Sequence, residues 1–117
     1  LGTIAQYNLP IKLIILNNKW QGMVRQWQQS YYEERYAHSS MADGMPDFVK
    51  VANAYGIKAF NITTFDELSE KENEIFFSND PIVVNFAVEE KENCYPMVQP
   101  GKSNSQMIGL NRELEQV

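Results

Sequence analysis

The amino-acid sequence predicts an α/β fold, a partial parallel sheet with flanking helices. Three short, mostly apolar runs, at positions 11–16, 57–63 and 81–88, have the length and composition of buried strands. Helical patterns separate them in the order strand, helix, helix, strand, helix, strand, which is typical of parallel sheets with right-handed crossovers. With 117 residues, 44% hydrophobic and 21% charged, the chain suits one modest globular domain.

The beginning of the chain predicts a helix end followed by a strand. Residues 1–7 resemble the last turns of a helix, which Pro10 ends because proline disfavours helix at the residue before it. The run 11–16 (IKLIIL) is rich in β-branched residues and predicts a strand buried on both faces. Because a natural domain rarely begins inside a helix, we expect the chain to be a piece of a larger protein that supplies further strands.

Three helices are predicted after the first strand. Apolar residues at spacings of three and four predict helices from residue 21 to about 34 and over residues 47–55, and Gly56 is a natural stop for the second. Thr64 and Glu67 have the spacing of a capping box, which predicts a helix from residue 64 to about residue 77.

The residues after position 88 have a different character. Pro96, Pro100 and Gly101 interrupt them, and no helical or strand periodicity is visible. We therefore divide the chain into an α/β part, residues 1–88, and a C-terminal tail, residues 89–117, that either lies over a surface of the fold or is mobile.

Charge and cysteine content exclude several classes of protein. The net charge of −5 argues against general affinity for nucleic acid. The longest uninterrupted apolar run, residues 13–16, is far short of the roughly 20 residues that span a bilayer. The single cysteine, Cys94, excludes an internal disulfide and indicates a reducing compartment, and with His38 it is too little for a Cys/His zinc site. We expect no nucleic-acid partner, no membrane and a cytoplasmic location.

The polar residues after the first strand are the leading candidate site. In open parallel sheets, ligands bind beyond the carboxyl ends of the strands, which points to residues 17–22 (NNKWQG). The side-chain oxygens of Asn17 and Asn18 are ligands that suit Mg²⁺, and the helix that follows favours an anionic phosphate at its N-terminus. The alternative is that the two asparagines only form a turn and cap the helix.

The helix after this loop begins with an apolar stripe. Met23, Val24 and Trp27 lie at spacings for which core packing is the usual explanation. Arg25 on the same helix is predicted to be exposed, and Cys94 has no neighbouring histidine that would support nucleophilic catalysis.

The segments ILNNKWQGMVRQWQQSYYEERYAHS and PDFVKVANAYGIKAF strongly resemble the catalytic subunit of the acetohydroxyacid synthase (acetolactate synthase) family. The resemblance extends from LGTIAQYNLP to PMVQPGKSNSQMI and is to the C-terminal half of the Rossmann-like domain that binds thiamine diphosphate. It implies condensation of pyruvate with pyruvate or 2-ketobutyrate, dependent on thiamine diphosphate and Mg²⁺, in branched-chain amino-acid biosynthesis. The alternatives are another thiamine-diphosphate enzyme, such as a pyruvate oxidase or ketoacid decarboxylase, against which Trp27 argues, and a non-catalytic folding or interaction module.

The resemblance also implies roles for single residues. The side-chain oxygen of Asn18 and the main-chain carbonyl of Trp20 are the implied Mg²⁺ ligands. The family's aspartate ligand and its activating glutamate have no counterpart in this chain, so we expect the chain alone to be inactive. The implied cofactor-binding residues are Asn17, Asn18, Gln21, Gly22 and Met23.

For the apolar stripe, the resemblance implies a substrate cleft instead of a core. Met23, Val24 and Trp27 would line it, and Trp27 would help to select the second 2-ketoacid. The implied partners are small-molecule 2-ketoacids, a homodimer or homotetramer of the full-length subunit, and a regulatory small subunit. The family's FAD is held mostly outside this part of the protein, the tail folds over the active site, and the compartment is a plastid or mitochondrion if the source is eukaryotic.

Overall fold

The architecture is a small parallel sheet with helices on both faces. The computed structural model describes residues 1–109. Strands β1 (Lys12–Asn17), β2 (Lys58–Ile62) and β3 (Ile82–Ala87) form one parallel sheet in the order β1-β3-β2. The carboxyl ends of all three strands therefore meet at the same edge of the sheet. This arrangement confirms the predicted fold class.

Helices fill the connections between the strands, as the sequence predicts. A 3-10 turn (Ala42–Gly44) and a pair of two-residue antiparallel strands near the end of the described chain complete the fold. The helices are α1 (Gly2–Tyr7), α2 (Gly22–Tyr31), α3 (Phe48–Ala54) and α4 (Phe65–Phe77), and the short strands are β4 (Met97–Val98) and β5 (Met107–Ile108).

The core consists of two apolar layers, one on each face of the sheet. On one face, Ile75 of α4 packs against Ile82 and Val84 of β3. On the opposite face, Ala52 of α3 packs against Val83, with α1 at the periphery of the same cluster. Successive residues of a strand point to opposite faces, so β3 contributes to both layers and holds them together.

The prediction that β1 is buried on both faces is wrong for the described residues. Its Leu13 and Ile15 join the layer beneath α1 and α3, but Ile14 is exposed and Leu16 is 70% exposed on the other face. The apolar layer on that face is formed by α4, β2 and β3 and contains no residue of β1, which lies at the edge of the sheet. A run of apolar residues indicates a strand but not its place in the order.

Helix α2 also ends earlier than its pattern predicts. It stops at Tyr31 instead of about residue 34, because Glu33 and Glu34 have left-handed backbone angles, with φ of 53° and 57°.

The capping box predicted at the start of α4 is present. The Thr64 hydroxyl accepts from the amide of Glu67, and the Glu67 carboxylate accepts from the amides of Thr63 and Thr64. These bonds, led by that from the Thr63 amide, lower the pKa of Glu67.

The tail is held to α2 as far as it is described. The Gln26 side chain, fully buried, donates to the carbonyl of Cys94 (3.0 Å) and accepts from its amide (2.8 Å). Buried Met97 lies on the same side chain. The remainder of the predicted tail, residues 110–117, lies outside the described residues. None of the helices within residues 1–109 has the length and apolar character needed to cross a membrane.

Candidate functional site

The loop after β1 is organised by its two asparagines. The side-chain oxygen of Asn17 accepts from the amide of Lys19 (3.0 Å), and that of Asn18 accepts from the amide of Trp20 (3.1 Å). Lys19 between them has a left-handed backbone, with φ of 59°. The turn predicted for this pair is therefore present. It does not compete with a ligand role, because an amide oxygen has two lone pairs and each turn uses one.

Gly22 lets α2 begin directly against this loop. A Cβ at this position would lie 3.1 Å from Nδ2 of Asn18, closer than ordinary van der Waals contact. The bare glycine backbone therefore leaves room for the Asn18 amide at the N-terminus of α2. This close approach places the loop after β1 against the N-terminus of α2, and helix N-termini in such positions bind phosphate in many α/β proteins.

A second segment pairs with the far side of the loop. The amide of Gln21 donates to the carbonyl of Ser39 (2.9 Å), and the amide of Met41 donates to the carbonyl of Lys19 (2.8 Å). Within residues 1–109, the backbone hydrogen bonds of this loop use the carbonyls of Asn17, Lys19, Gln21 and Ser39, and none uses that of Trp20. The Trp20 carbonyl thus retains its capacity to bind a cation.

Glu90 connects the loop to the end of the neighbouring strand β3. Its carboxylate accepts from Nζ of Lys19 (2.7 Å) and from Nε1 of Trp20 (3.3 Å). The hydrogen bond from Lys19, followed by that from Trp20, lowers the pKa of Glu90. The carboxylate is therefore charged at neutral pH and ties two strand ends together at the edge where ligands bind.

Arg25 is buried, which contradicts the prediction that it is exposed. Only 6% of its surface is accessible, and its guanidinium lies 5.4 Å from the ring centres of both Trp20 and Tyr36. Both rings lie against this cation, and their centres are only 5.6 Å apart, so together they cover the same side of it. The periodicity of α2 could not predict this, because Tyr36 comes from the loop after the helix.

The apolar stripe of α2 is exposed within the described residues. Met23 is 47%, Val24 43% and Trp27 36% accessible, so the packing predicted from spacing alone is wrong here. Trp27 contacts Tyr31 edge to face, with 5.3 Å between ring centres. A groove of about 310 Å³ opens beside it, lined by Val24, Trp27, Gln28, Tyr32, Arg35 and Ala37.

The described residues fit one part of a metal site. Asn18 and Trp20 each have a neutral oxygen of the kind that suits Mg²⁺, and the space left by Gly22 lies against the Asn18 amide. No group of three or more His, Cys, Asp or Glu that could hold a metal occurs within residues 1–109.

Glu90, Arg25 and Tyr36 are the site residues that the sequence analysis missed. One signal was present for Glu90, which follows the end of a parallel strand just as Asn17 and Asn18 do. Arg25 and Tyr36 carried no such signal, because their contacts depend on how the loop after α2 folds back.

A parallel α/β sheet with an amide-rich loop and a helix N-terminus at its carboxyl edge defines a class of phosphate-binding domain. The chain belongs to the family of thiamine pyrophosphate enzymes, C-terminal TPP binding domain, whose model matches residues 1–86. This membership confirms the predicted cofactor class, thiamine diphosphate. A solved structure, the thiamine diphosphate-dependent 4-hydroxybenzoylformate decarboxylase of Rhodococcus jostii RHA1, shares the fold, with a TM-score of 0.66 over 78% of this chain and 17% of that one at 21% identity.

Curated relatives narrow the family further and confirm the resemblance. The chain is 56% identical over its whole length to the acetolactate synthase large subunit of Cyanidium caldarium, covering 20% of that protein. It is 57% identical over 110 residues, 94% of the chain, to that of Pyropia yezoensis, covering 19% of it. The chain thus spans about a fifth of the length of these relatives.

Proposed function

We propose that this chain acts as part of an acetolactate synthase large subunit. The complete protein would join the two-carbon unit of pyruvate to a second 2-ketoacid, pyruvate or 2-ketobutyrate. The observation that carries the proposal is the loop of residues 17–22, whose turns and glycine contact leave the Asn18 and Trp20 oxygens able to bind Mg²⁺ at a helix N-terminus.

Each residue of the loop has a proposed part in holding the cofactor. Asn18 and Trp20 supply metal ligands, Asn17 stabilises the turn through its bond to the Lys19 amide, and Gly22 allows close approach. Gln21 and Met23 border the same helix start. When bound, thiamine diphosphate supplies the carbon chemistry that releases CO₂ from a 2-ketoacid. The protein binds, orients and excludes water.

The exposed stripe of α2 is the proposed substrate surface. Met23, Val24 and Trp27 begin one residue after the glycine and face outward, so a reactant held at the loop would have an apolar wall beside it. The groove beside Trp27 gives that wall a concave shape suited to a small ketoacid.

Several wider properties belong to the same proposal. We infer a boundary near residue 88, supported by the change from the parallel sheet to two short antiparallel strands. A second cofactor, FAD, would be bound mainly by other parts of the protein. We further infer a homodimer or homotetramer of the full-length subunit with a regulatory small subunit. The proposed compartment is the cytoplasm, or a plastid or mitochondrion in a eukaryote.

The decisive experiment compares Asn18→Ala with a matched control in the full-length protein. The control is Asn53→Ala, an exposed asparagine of α3. We expect wild type and control to form acetolactate from pyruvate only when Mg²⁺ and thiamine diphosphate are present. Asn18→Ala should bind the cofactor about 10-fold or more weakly, since Mg²⁺ demands near-ideal octahedral coordination. A wild-type protein that forms no acetolactate, or an Asn18→Ala protein with full cofactor affinity, contradicts the proposal.

A further inference from the structure

The indole of Trp20 is held by residues from three separate segments. The guanidinium of Arg25, on α2, lies over its ring at 5.4 Å from the centre. The ring of Tyr36 meets it edge to face, with 5.6 Å between centres. Glu90, after β3, accepts a hydrogen bond from its Nε1. A ligand role for Trp20 needs only its main-chain carbonyl, so these contacts give the side chain a separate purpose.

Arg25 is the centre of this arrangement because it touches both rings. Its guanidinium is buried, and its hydrogen bond runs from Nη1 to the side-chain oxygen of Gln29 (3.4 Å). The cation lies over two aromatic rings, an attraction that strengthens when water is excluded.

We propose that Arg25 is a positioning residue for the metal-binding loop. The guanidinium holds the indole of Trp20 against Tyr36, and this fixes the Trp20 carbonyl relative to Asn18, two residues earlier. The proposal rests on the proposed function, because it concerns the same Mg²⁺ ligands. Groups that orient metal ligands without touching the metal commonly change metal affinity 10- to 100-fold when they are altered.

The test is Arg25→Met in the full-length protein, which keeps an unbranched side chain of similar reach and removes the cation. Calorimetric titration of Mg²⁺ with thiamine diphosphate present should show a Kd raised about 10-fold or more. The kcat at saturating Mg²⁺ should stay within about threefold of wild type, because every site then holds its metal and cofactor. Arg25→Lys retains a cation over the rings and should recover much of the affinity.

The matched control is Lys71→Met in α4. It removes a cation that lies 5.6 Å from the ring centre of Phe60, a residue of β2. The same change of charge there should leave the Mg²⁺ Kd at its wild-type value. An equal rise in the control overturns the proposal, since the effect would then be general electrostatics. Wild-type Mg²⁺ affinity in folded Arg25→Met overturns it as well.

A second variant covers the case in which Arg25→Met does not fold. Tyr36→Leu removes one of the two rings that contact Arg25, at a residue that is 39% exposed, and it should also raise the Mg²⁺ Kd. Unchanged affinity in this variant overturns the proposal. A wild-type protein that binds no Mg²⁺ with thiamine diphosphate is a different result, because it contradicts the proposed function itself.

Discussion

At the scale of the residue, a substitution at Gly22 is expected to weaken cofactor binding without lowering stability. Alanine favours helix over glycine, so Gly22→Ala should leave the free energy of unfolding unchanged or raise it by about 0.4–1 kcal/mol. The new Cβ would crowd the Asn18 amide at 3.1 Å and shift the proposed metal ligand. We expect Mg²⁺ affinity in the full-length protein to fall about 10-fold, measured by calorimetry.

Gly44→Ala is the matched control for this change. A Cβ at Gly44 meets no atom within 4 Å, so stability and Mg²⁺ affinity should both be maintained. If Gly22→Ala binds Mg²⁺ as tightly as this control does, the close approach of α2 to Asn18 has no role in the site.

Trp27 is expected to influence the choice of acceptor. Its indole is partly exposed beside the groove of α2, where it can contact the extra methyl group of 2-ketobutyrate. One methylene is worth about 1–3 kcal/mol of discrimination in an apolar pocket, so Trp27→Leu should reduce the preference for 2-ketobutyrate over pyruvate by roughly 10-fold. Competition assays with both ketoacids measure this ratio.

Stability measurements distinguish this role from core packing. Truncation of a buried tryptophan would lower the free energy of unfolding by about 3–5 kcal/mol, and both products would be lost together. Phe65→Leu, at an aromatic residue of α4 that is highly exposed, provides a reference for a surface change. If Trp27→Leu keeps the wild-type product ratio but has a much lower melting temperature, Trp27 is a structural residue.

Residue-level inference from the sequence succeeded where chain order alone decides proximity. The two asparagines were expected at the carboxyl end of a parallel strand and in a turn, and the structure has them there. It failed for Arg25, because burial of that side chain requires Tyr36 to fold back over it. Such a contact depends on loop conformation, which local patterns do not encode.

At the scale of the element, the start of α4 is defined by its cap. Thr64→Ala removes the hydroxyl that accepts from the Glu67 amide, a loss that typically costs about 1 kcal/mol. Hydrogen exchange of the first turn of α4 in the full-length protein should then be about fivefold faster. Ser69→Ala, at an exposed position inside the helix, should leave this rate unchanged. Equal protection in the two variants contradicts the assigned cap.

The helices and strands themselves were predictable because their signals are local. Capping residues, glycine stops and apolar spacing identified each major element from α1 to β3. The order of strands was not predictable, since the runs of β1 and β3 are nearly indistinguishable in composition and only the packing of α3 and α4 makes β3 central. The tail was equally unpredictable, because Gln26 holds it from far away in sequence.

At the scale of the whole molecule, the described residues supply only part of the proposed metal site. Asn18 and Trp20 offer neutral oxygens, and residues 1–109 contain no cluster of acidic or histidine ligands beside them. We therefore expect the chain of 117 residues alone to form no acetolactate from pyruvate, thiamine diphosphate and Mg²⁺. Product above the protein-free control would contradict this, with full-length protein as the positive control.

The most direct test of the account is a crystal structure of the full-length protein with Mg²⁺ and thiamine diphosphate bound. The account predicts that the Asn18 side-chain oxygen and the Trp20 carbonyl oxygen both lie about 2.0–2.1 Å from the Mg²⁺. It also predicts that the diphosphate lies at the N-terminus of α2, next to Gly22. A bound Mg²⁺ held entirely by other residues, with the Asn18 oxygen outside its coordination sphere, would contradict the central claim.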